Sequence, residues 1–323
     1  MRDEARSPSA ILALLPAQFL FGSLPVIGKV VLAVMPPIAL VGFRTAITAV
    51  ILFVIQAFRG RLWLKEKGDY WRFALLSLFG VVINQLFFIG GLSLTTASNT
   101  SLLAVMIPVF TLAIGAIAGF ERLTWVKSVG IVLAAIGVTI LIDPRRASFS
   151  SQTTLGDLCI VINCLAYGIY VATSKNAIMR NGTFRSMMWV FVFASAICVP
   201  LGLWSLSTTN ISAIDTRIWL ITIYIGIGAT AGPYLLNAWA LSKVTPSTVA
   251  VFVYLQPLIG FVLAVMYLGE QISLAFIGAA TLIFAGVYLV TKRSTTTRRE
   301  IAFLRLQASN HQDAHPDHQD RTE

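Results

Sequence analysis

TTASNTSLLAVMIPVFTLAIGAIAGFERLTW, residues 95–125, decides the fold, because the chain says it twice. Residues 244–274 read VTPSTVAVFVYLQPLIGFVLAVMYLGEQISL. Laid on the first copy, they place Thr245 on Thr96, Ser247 on Ser98, Pro257 on Pro108 and Glu270 on Glu121. Gly286 falls on Gly137 at the same offset of roughly 149 residues, about half of the apolar part of the chain. Each half holds an odd number of apolar runs, so the second copy enters a bilayer from the opposite side. Inverted repeats around a shared central site are the build of secondary transporters.

Composition points to the same medium. The chain is 57% hydrophobic and 12% charged, with a mean hydropathy of +0.80, far from the balance of a soluble domain. A net charge of +10 would suit nucleic acid, but the basic residues sit between apolar runs and in the tails, as topology determinants do. No nucleic-acid partner is therefore expected. Cys159, Cys164 and Cys198 lie inside apolar runs without a CxxC pair and read as small packing residues.

Ten spans are expected, near 11–32, 37–57, 71–92, 97–119 and 125–142, then 155–177, 186–205, 217–241, 245–267 and 272–291. Most hold the roughly 20 apolar residues that cross a hydrocarbon core. The first is too long, and followed too soon by another, to be a cleaved signal peptide. The expected organisation is an all-α integral membrane protein. A short tail (1–9) precedes the first repeat (10–142), a connecting loop (143–154), the second repeat (155–291) and a basic, then polar, tail (292–323). His311, His315 and His318 all lie in that last tail, which reads as a disordered polar segment and not as a metal site.

Basic residues set the orientation. With the N-terminus in the cytoplasm, the inner side collects Arg2, Arg6, Arg59, Arg61, Lys65, Lys67, Arg72, Arg122, Lys127, Lys175, Arg180, Arg185, Lys243 and the basic run after the last span. The outer loops keep only Arg145, Arg146 and Arg217. That bias predicts both termini inside.

The paired segments resemble the two EamA repeats of the drug/metabolite transporter superfamily. The resemblance rests on Ala97-Ser98, Pro108 and Glu121-Arg122-Leu123-Thr124, matched by Pro246-Ser247, Pro257 and Gly269-Glu270-Gln271-Ile272-Ser273. It covers residues 10 to 291 and implies a ten-helix inverted-repeat carrier of small metabolites. Many relatives export amino acids or related compounds, so the amino-acid expectation belongs to the resemblance.

Polar side chains inside spans face protein or water, because lipid cannot satisfy them. Gln85 and Phe88 share a face of the third span, and their repeat partners Tyr234 and Asn237 share a face of the eighth. Asn99, Leu103 and Ile107 in the fourth correspond to Thr248, Phe252 and Gln256 in the ninth. Asn163, Tyr167 and Tyr170 stack along the sixth, and Gln18, Gly22, Pro25 and Lys29 form a stripe on the first. Together they predict a cavity with aromatic walls and a few amides, suited to a small polar solute. Taken singly, each Asn or Gln is equally an interhelical hydrogen bond. Lys29 either snorkels to the headgroups or, with Lys175, attracts anions at the cavity mouths. Arg44 lies two turns into the second span without a basic repeat partner, and either binds a substrate carboxylate or ties helices together. Pro25, Pro108, Pro233 and Pro257 are candidate hinges, since each removes a backbone bond.

The fourteen carboxylates fall in tails, loops or span ends, Asp143, Asp157 and Asp215 among them. A missing mid-membrane carboxylate argues against obligatory proton coupling and a permanent-cation substrate. Glu121 and Glu270 are expected at the starts of the fifth and tenth helices, satisfying free backbone donors there. No HExxH, GxSxG or P-loop marks an enzyme, and no selectivity loop marks a channel. The expected function is alternating-access transport of an amino acid or related zwitterion or anion, with export implied by the family resemblance alone. The alternatives are a proton-coupled drug or metabolite antiporter, a channel and a membrane enzyme. No cofactor is expected; the partners are a small-molecule solute and the bilayer of the inner or plasma membrane, and a homodimer is left open.

Overall fold

The computed structural model describes residues 8–95, 97–142, 153–207, 214–259, 262 and 274–291. The side chains of Pro25, Lys29 and Ser98, all of Glu270 and the histidine tail lie outside the described residues. Among the described residues every element is helical. The first half contains α1 (Pro8–Leu32), α2 (Pro37–Phe58), α3 (Lys67–Leu94), α4 in two pieces (Ala97–Leu103 and Met106–Ile117) and α5 (Trp125–Ile142). The second contains α6 (Thr154–Asn181), α7 (Thr183–Ser205), α8 (Thr216–Leu241), α9 (Pro246–Ile259) and α10 (Leu274–Thr291). By length and composition α2, α3, α6, α7 and α8 are able to cross a membrane; the others carry shorter described apolar stretches.

Local chemistry sets the ends. Pro37 starts α2 at a position whose N–H would have no helical acceptor. Asp215 caps α8 by accepting from Arg217 N at 3.0 Å, and the Thr245 hydroxyl lies 3.4 Å from Thr248 N at the start of α9. Gly182, at φ +84°, turns α6 directly into α7.

Helices at equivalent places in the two halves pack on each other, α2 on α7 and α5 on α10. Gly130 of α5 meets Gly286, Leu289 and Val290, whereas Gly137, two turns on, meets Ala279 and Ile283. The two helices therefore run antiparallel, as an inverted duplication requires. Both contacts depend on small residues that let backbones approach. A Cβ on Gly42 would stand 2.9 Å from the Cys198 carbonyl and 3.0 Å from Gly202 Cα. Gly42→Val is accordingly expected to cost about 1–3 kcal/mol by overpacking, seen as a lower unfolding temperature of the purified protein; unchanged stability would mean that the α2–α7 seam can open without penalty.

Three features differ from ten plain rods. Helix α3 begins at Lys67 and α6 runs on to Asn181, both beyond the expected spans of 71–92 and 155–177. The cause is a polar cluster: buried Asp69 accepts from Arg180 and from Asn181 Nδ2 (2.8 Å), which holds both helix ends in place. Helix α4 is broken at Ala104–Val105. Pro108 has no N–H to offer the Ala104 carbonyl, which accepts from Ile107 N at 3.1 Å instead. One repeat distance on, Phe252–Tyr254 is 3₁₀-helical, just before Pro257. The third feature, a pair of π-turns, shapes the site.

Candidate functional site: a polar cavity on the repeat axis

Leu78–Ile83 in α3 and Ile227–Ala231 in α8 are π-helical, again one repeat apart. A π-turn widens the helix and leaves carbonyls short of backbone donors. Here the donors come from the opposite repeat. Tyr234 Oη lies 2.7 Å from the Gly80 carbonyl, and Thr48 Oγ1 donates to the Gly226 carbonyl at 2.8 Å. Arg44 Nε donates to Thr230 Oγ1 at 3.0 Å, with Nη2 at 3.5 Å from the Ala229 carbonyl. Pro233 explains that last carbonyl, because it supplies no N–H four residues on.

Two bonds join residues exactly one repeat apart in sequence, and so mark the pseudo-twofold axis. Gln85 Nε2 donates to Tyr234 Oη at 2.9 Å, with a separation of 149 residues. Tyr254 Oη donates to the Val105 carbonyl, at the α4 break, at 2.8 Å and the same separation of 149. The network extends outward. Asn163 Nδ2 donates to the Asn84 carbonyl (2.8 Å), Asn237 Nδ2 to Tyr167 Oη (3.0 Å) and Gln256 Nε2 to Gln18 Oε1 (2.7 Å).

These groups surround a cavity of about 80 Å³. Its polar wall is Arg44, Asn84, Gln85, Thr100, Asn163, Tyr167, Tyr234 and Gln256, and Phe21, Phe88, Ile107 and Ile160 are among the apolar residues. That volume is well below the roughly 300–1,000 Å³ of a drug-sized site. Arg44 is the unusual member. It is 0% exposed, no carboxylate lines the cavity among the described residues, and its Nη1 has no hydrogen-bond partner. A buried guanidinium normally requires a counter-ion or a full set of acceptors.

The sequence candidates divide accordingly. Arg44, Gln85, Asn163, Tyr167, Tyr234 and Gln256 meet at the cavity wall, and Gln18 and Asn237 stand behind it, bonded to wall residues. Asn99 is drawn elsewhere: its Nδ2 donates to Asp157 at 2.9 Å, alongside Thr95. Phe252 is buried beside the wall residue Val253 and not in the wall itself. Asn84, Thr48 and Thr230 were not singled out by sequence; polar character inside an apolar run was their one available signal. Glu121 does cap a helix, but the donors belong to α9 and not to its own α5. Its carboxylate accepts from Ser247 N at 3.0 Å and from the Ser247 hydroxyl, and it is ion-paired with Lys127.

Fold and site together define a multi-pass helical membrane protein, built as an inverted duplication around a central polar cavity. Residues 8–142 and 154–292 each match the EamA-like transporter family, and the chain belongs to that family. It is thus a transporter of the cell membrane by family, with membership covering both halves. Among its relatives are the "Uncharacterized transporter YoaV" of Bacillus subtilis (20% identity, covering 90% of this chain and 99% of that one) and an "Uncharacterized transporter" of Archaeoglobus fulgidus (25%, covering 80% and 89%). A "Probable terminal-alkyne amino-acid exporter" of Streptantibioticus cattleyicolor is 25% identical, covering 63% of this chain and 67% of that one. A solved crystal structure shares the fold, with a TM-score of 0.74 at 20% identity over 91% of this chain and 99% of the other.

Proposed function

We propose that the chain is an alternating-access carrier of a small solute bearing a carboxylate, an amino acid or a close relative. The observation that carries this reading is Arg44, a buried cation in the cavity wall with one nitrogen unpartnered and, among the described residues, no carboxylate lining the cavity beside it. A carboxylate presents two oxygens to a guanidinium fork, while the amides and phenols around the cavity offer donors and acceptors to the remainder of the solute. The small cavity and the amino-acid exporter among the relatives support the same class. In this proposal ten spans cross the membrane with both termini in the cytoplasm, the two repeats rock about the axis marked by Gln85 and Tyr234, and net export follows the solute gradient.

Counterflow in proteoliposomes at equal pH tests it. Vesicles loaded with unlabelled amino acid are expected to accumulate labelled amino acid transiently; folded protein that exchanges no carboxylate solute would refute the proposed substrate class. Gln85→Ala and Gln256→Ala are expected to lower that exchange about tenfold each, equivalent to about 1.4 kcal/mol, with little loss of folded protein. Wild-type exchange in both variants would remove the amide wall from the site.

A further inference from the structure

A second cavity lies behind α8, away from the central one. A crevice of about 710 Å³ opens between the end of α2, the α6–α7 turn and α8. Helix α8 contributes Leu235, Leu236 and Trp239, which at 3.6 residues per turn lie on the face opposite Tyr234 and Asn237. The two cavities therefore use opposite sides of one helix and share no lining residue.

The rim is basic and held in shape. Arg59, Arg61 and Arg185 line it. The Arg59 guanidinium rests 4.5 Å over the Phe184 ring, a contact that positions the charge without neutralising it. Gln56 Nε2 donates to the Gly60 carbonyl at 2.9 Å, bracing a turn in which Gly60 and Arg61 take φ of +74° and +39°. Arg185 Nε is buried without a partner. No carboxylate lines the crevice among the described residues, and the neighbouring Glu66 and Asp69 are paired with Arg180 and Arg72. Three cations above an apolar, aromatic wall call for a ligand with an anionic head and an apolar body.

We propose that this crevice binds an anionic phospholipid, its phosphate between Arg59, Arg61 and Arg185 and an acyl chain along Leu235, Leu236 and Trp239. The assignment rests on the membrane placement proposed above, which puts this rim at headgroup level on the cytoplasmic side. Basic pockets between helices on that side suit anionic headgroups. The apolar wall is what selects a lipid over a soluble anion. A lipid seated here contacts α2, α7 and α8 together, so it braces the back of the helix that presents Tyr234 to the solute cavity.

The test is lipid retention by the purified full-length protein in neutral detergent, read by native mass spectrometry and by unfolding temperature. This readout does not depend on transport, so it stands or falls separately from the choice of solute. Phosphatidylglycerol is expected to bind at least tenfold more tightly than phosphatidylcholine and to raise the unfolding temperature. The R59Q/R61Q/R185Q variant is expected to lose that preference while binding phosphatidylcholine as before. Should the triple variant fold poorly, Arg185→Gln alone is expected to weaken phosphatidylglycerol binding several-fold. Equal retention of both lipids, or undiminished phosphatidylglycerol preference in the folded variants, overturns the proposal. So does reproduction of the full stabilisation by inorganic phosphate or glycerol 3-phosphate, which would make this a soluble-anion site.

Discussion

Arg44→Gln is expected to lower kcat/KM for carboxylate-bearing solutes about a hundredfold in counterflow. Losing one partner of a buried, hydrogen-bonded charge pair costs about 3 kcal/mol, and each 1.4 kcal/mol is about a factor of ten. The substitution removes the unpartnered Nη1 and keeps an amide near Thr230 and the Ala229 carbonyl. Stability should therefore hold or rise slightly, because the desolvation of an unpaired cation disappears with the charge. Arg44→Lys is expected to fall between the two, retaining the charge but losing the planar fork. A role confined to tying α2 to the π-turn of α8 predicts the opposite pattern: lower stability, with undiminished exchange per folded molecule. That result would overturn the carboxylate assignment.

Glu121→Ala is expected to be the most destabilising single change at the junction of the repeats, by about 3 kcal/mol. It leaves Ser247 N and its hydroxyl without their acceptor and strands Lys127, whose side chain is only 18% exposed. Breaking a buried ion pair from one side carries a cost of this order. Unfolding in detergent measures it directly. Glu121→Gln keeps an acceptor for Ser247 and should lose less, with exchange per folded molecule close to wild type. Abolished exchange in well-folded Glu121→Gln would give the carboxylate a part in ion coupling and contradict a purely structural role.

Much of the site was legible because the repeat doubles every signal. Gln85 and Tyr234 share an offset, and a helical face places each near its neighbour. What a helical face does not specify is the partner. In a soluble helix the apolar stripe reveals which side is buried, but here both the core and the lipid are apolar, so rotation about the helix axis leaves only a faint trace in the sequence. Asn99 shows the consequence: it lies in register with the cavity stripe, yet the Asp157 carboxylate draws it away. The π-turns were not legible either. Only Pro233 hints at one, and the equivalent position in α3 is Asn84, an ordinary helical residue.

By itself the sequence determined the medium, the duplication and most of the amide and aromatic candidates of the cavity, because hydropathy and repeat spacing are properties of a chain read in one dimension. It also placed Pro108 and Pro257 where backbone bonds must be missing. The tertiary structure alone decided that Arg44 faces a cavity lined by no carboxylate among the described residues, that Glu121 caps α9 in the other repeat, and that Gln85 meets its own repeat partner across the axis. Those outcomes depend on how antiparallel helices cross and rotate when glycine seams bring their backbones together, and such contacts join residues more than a hundred positions apart.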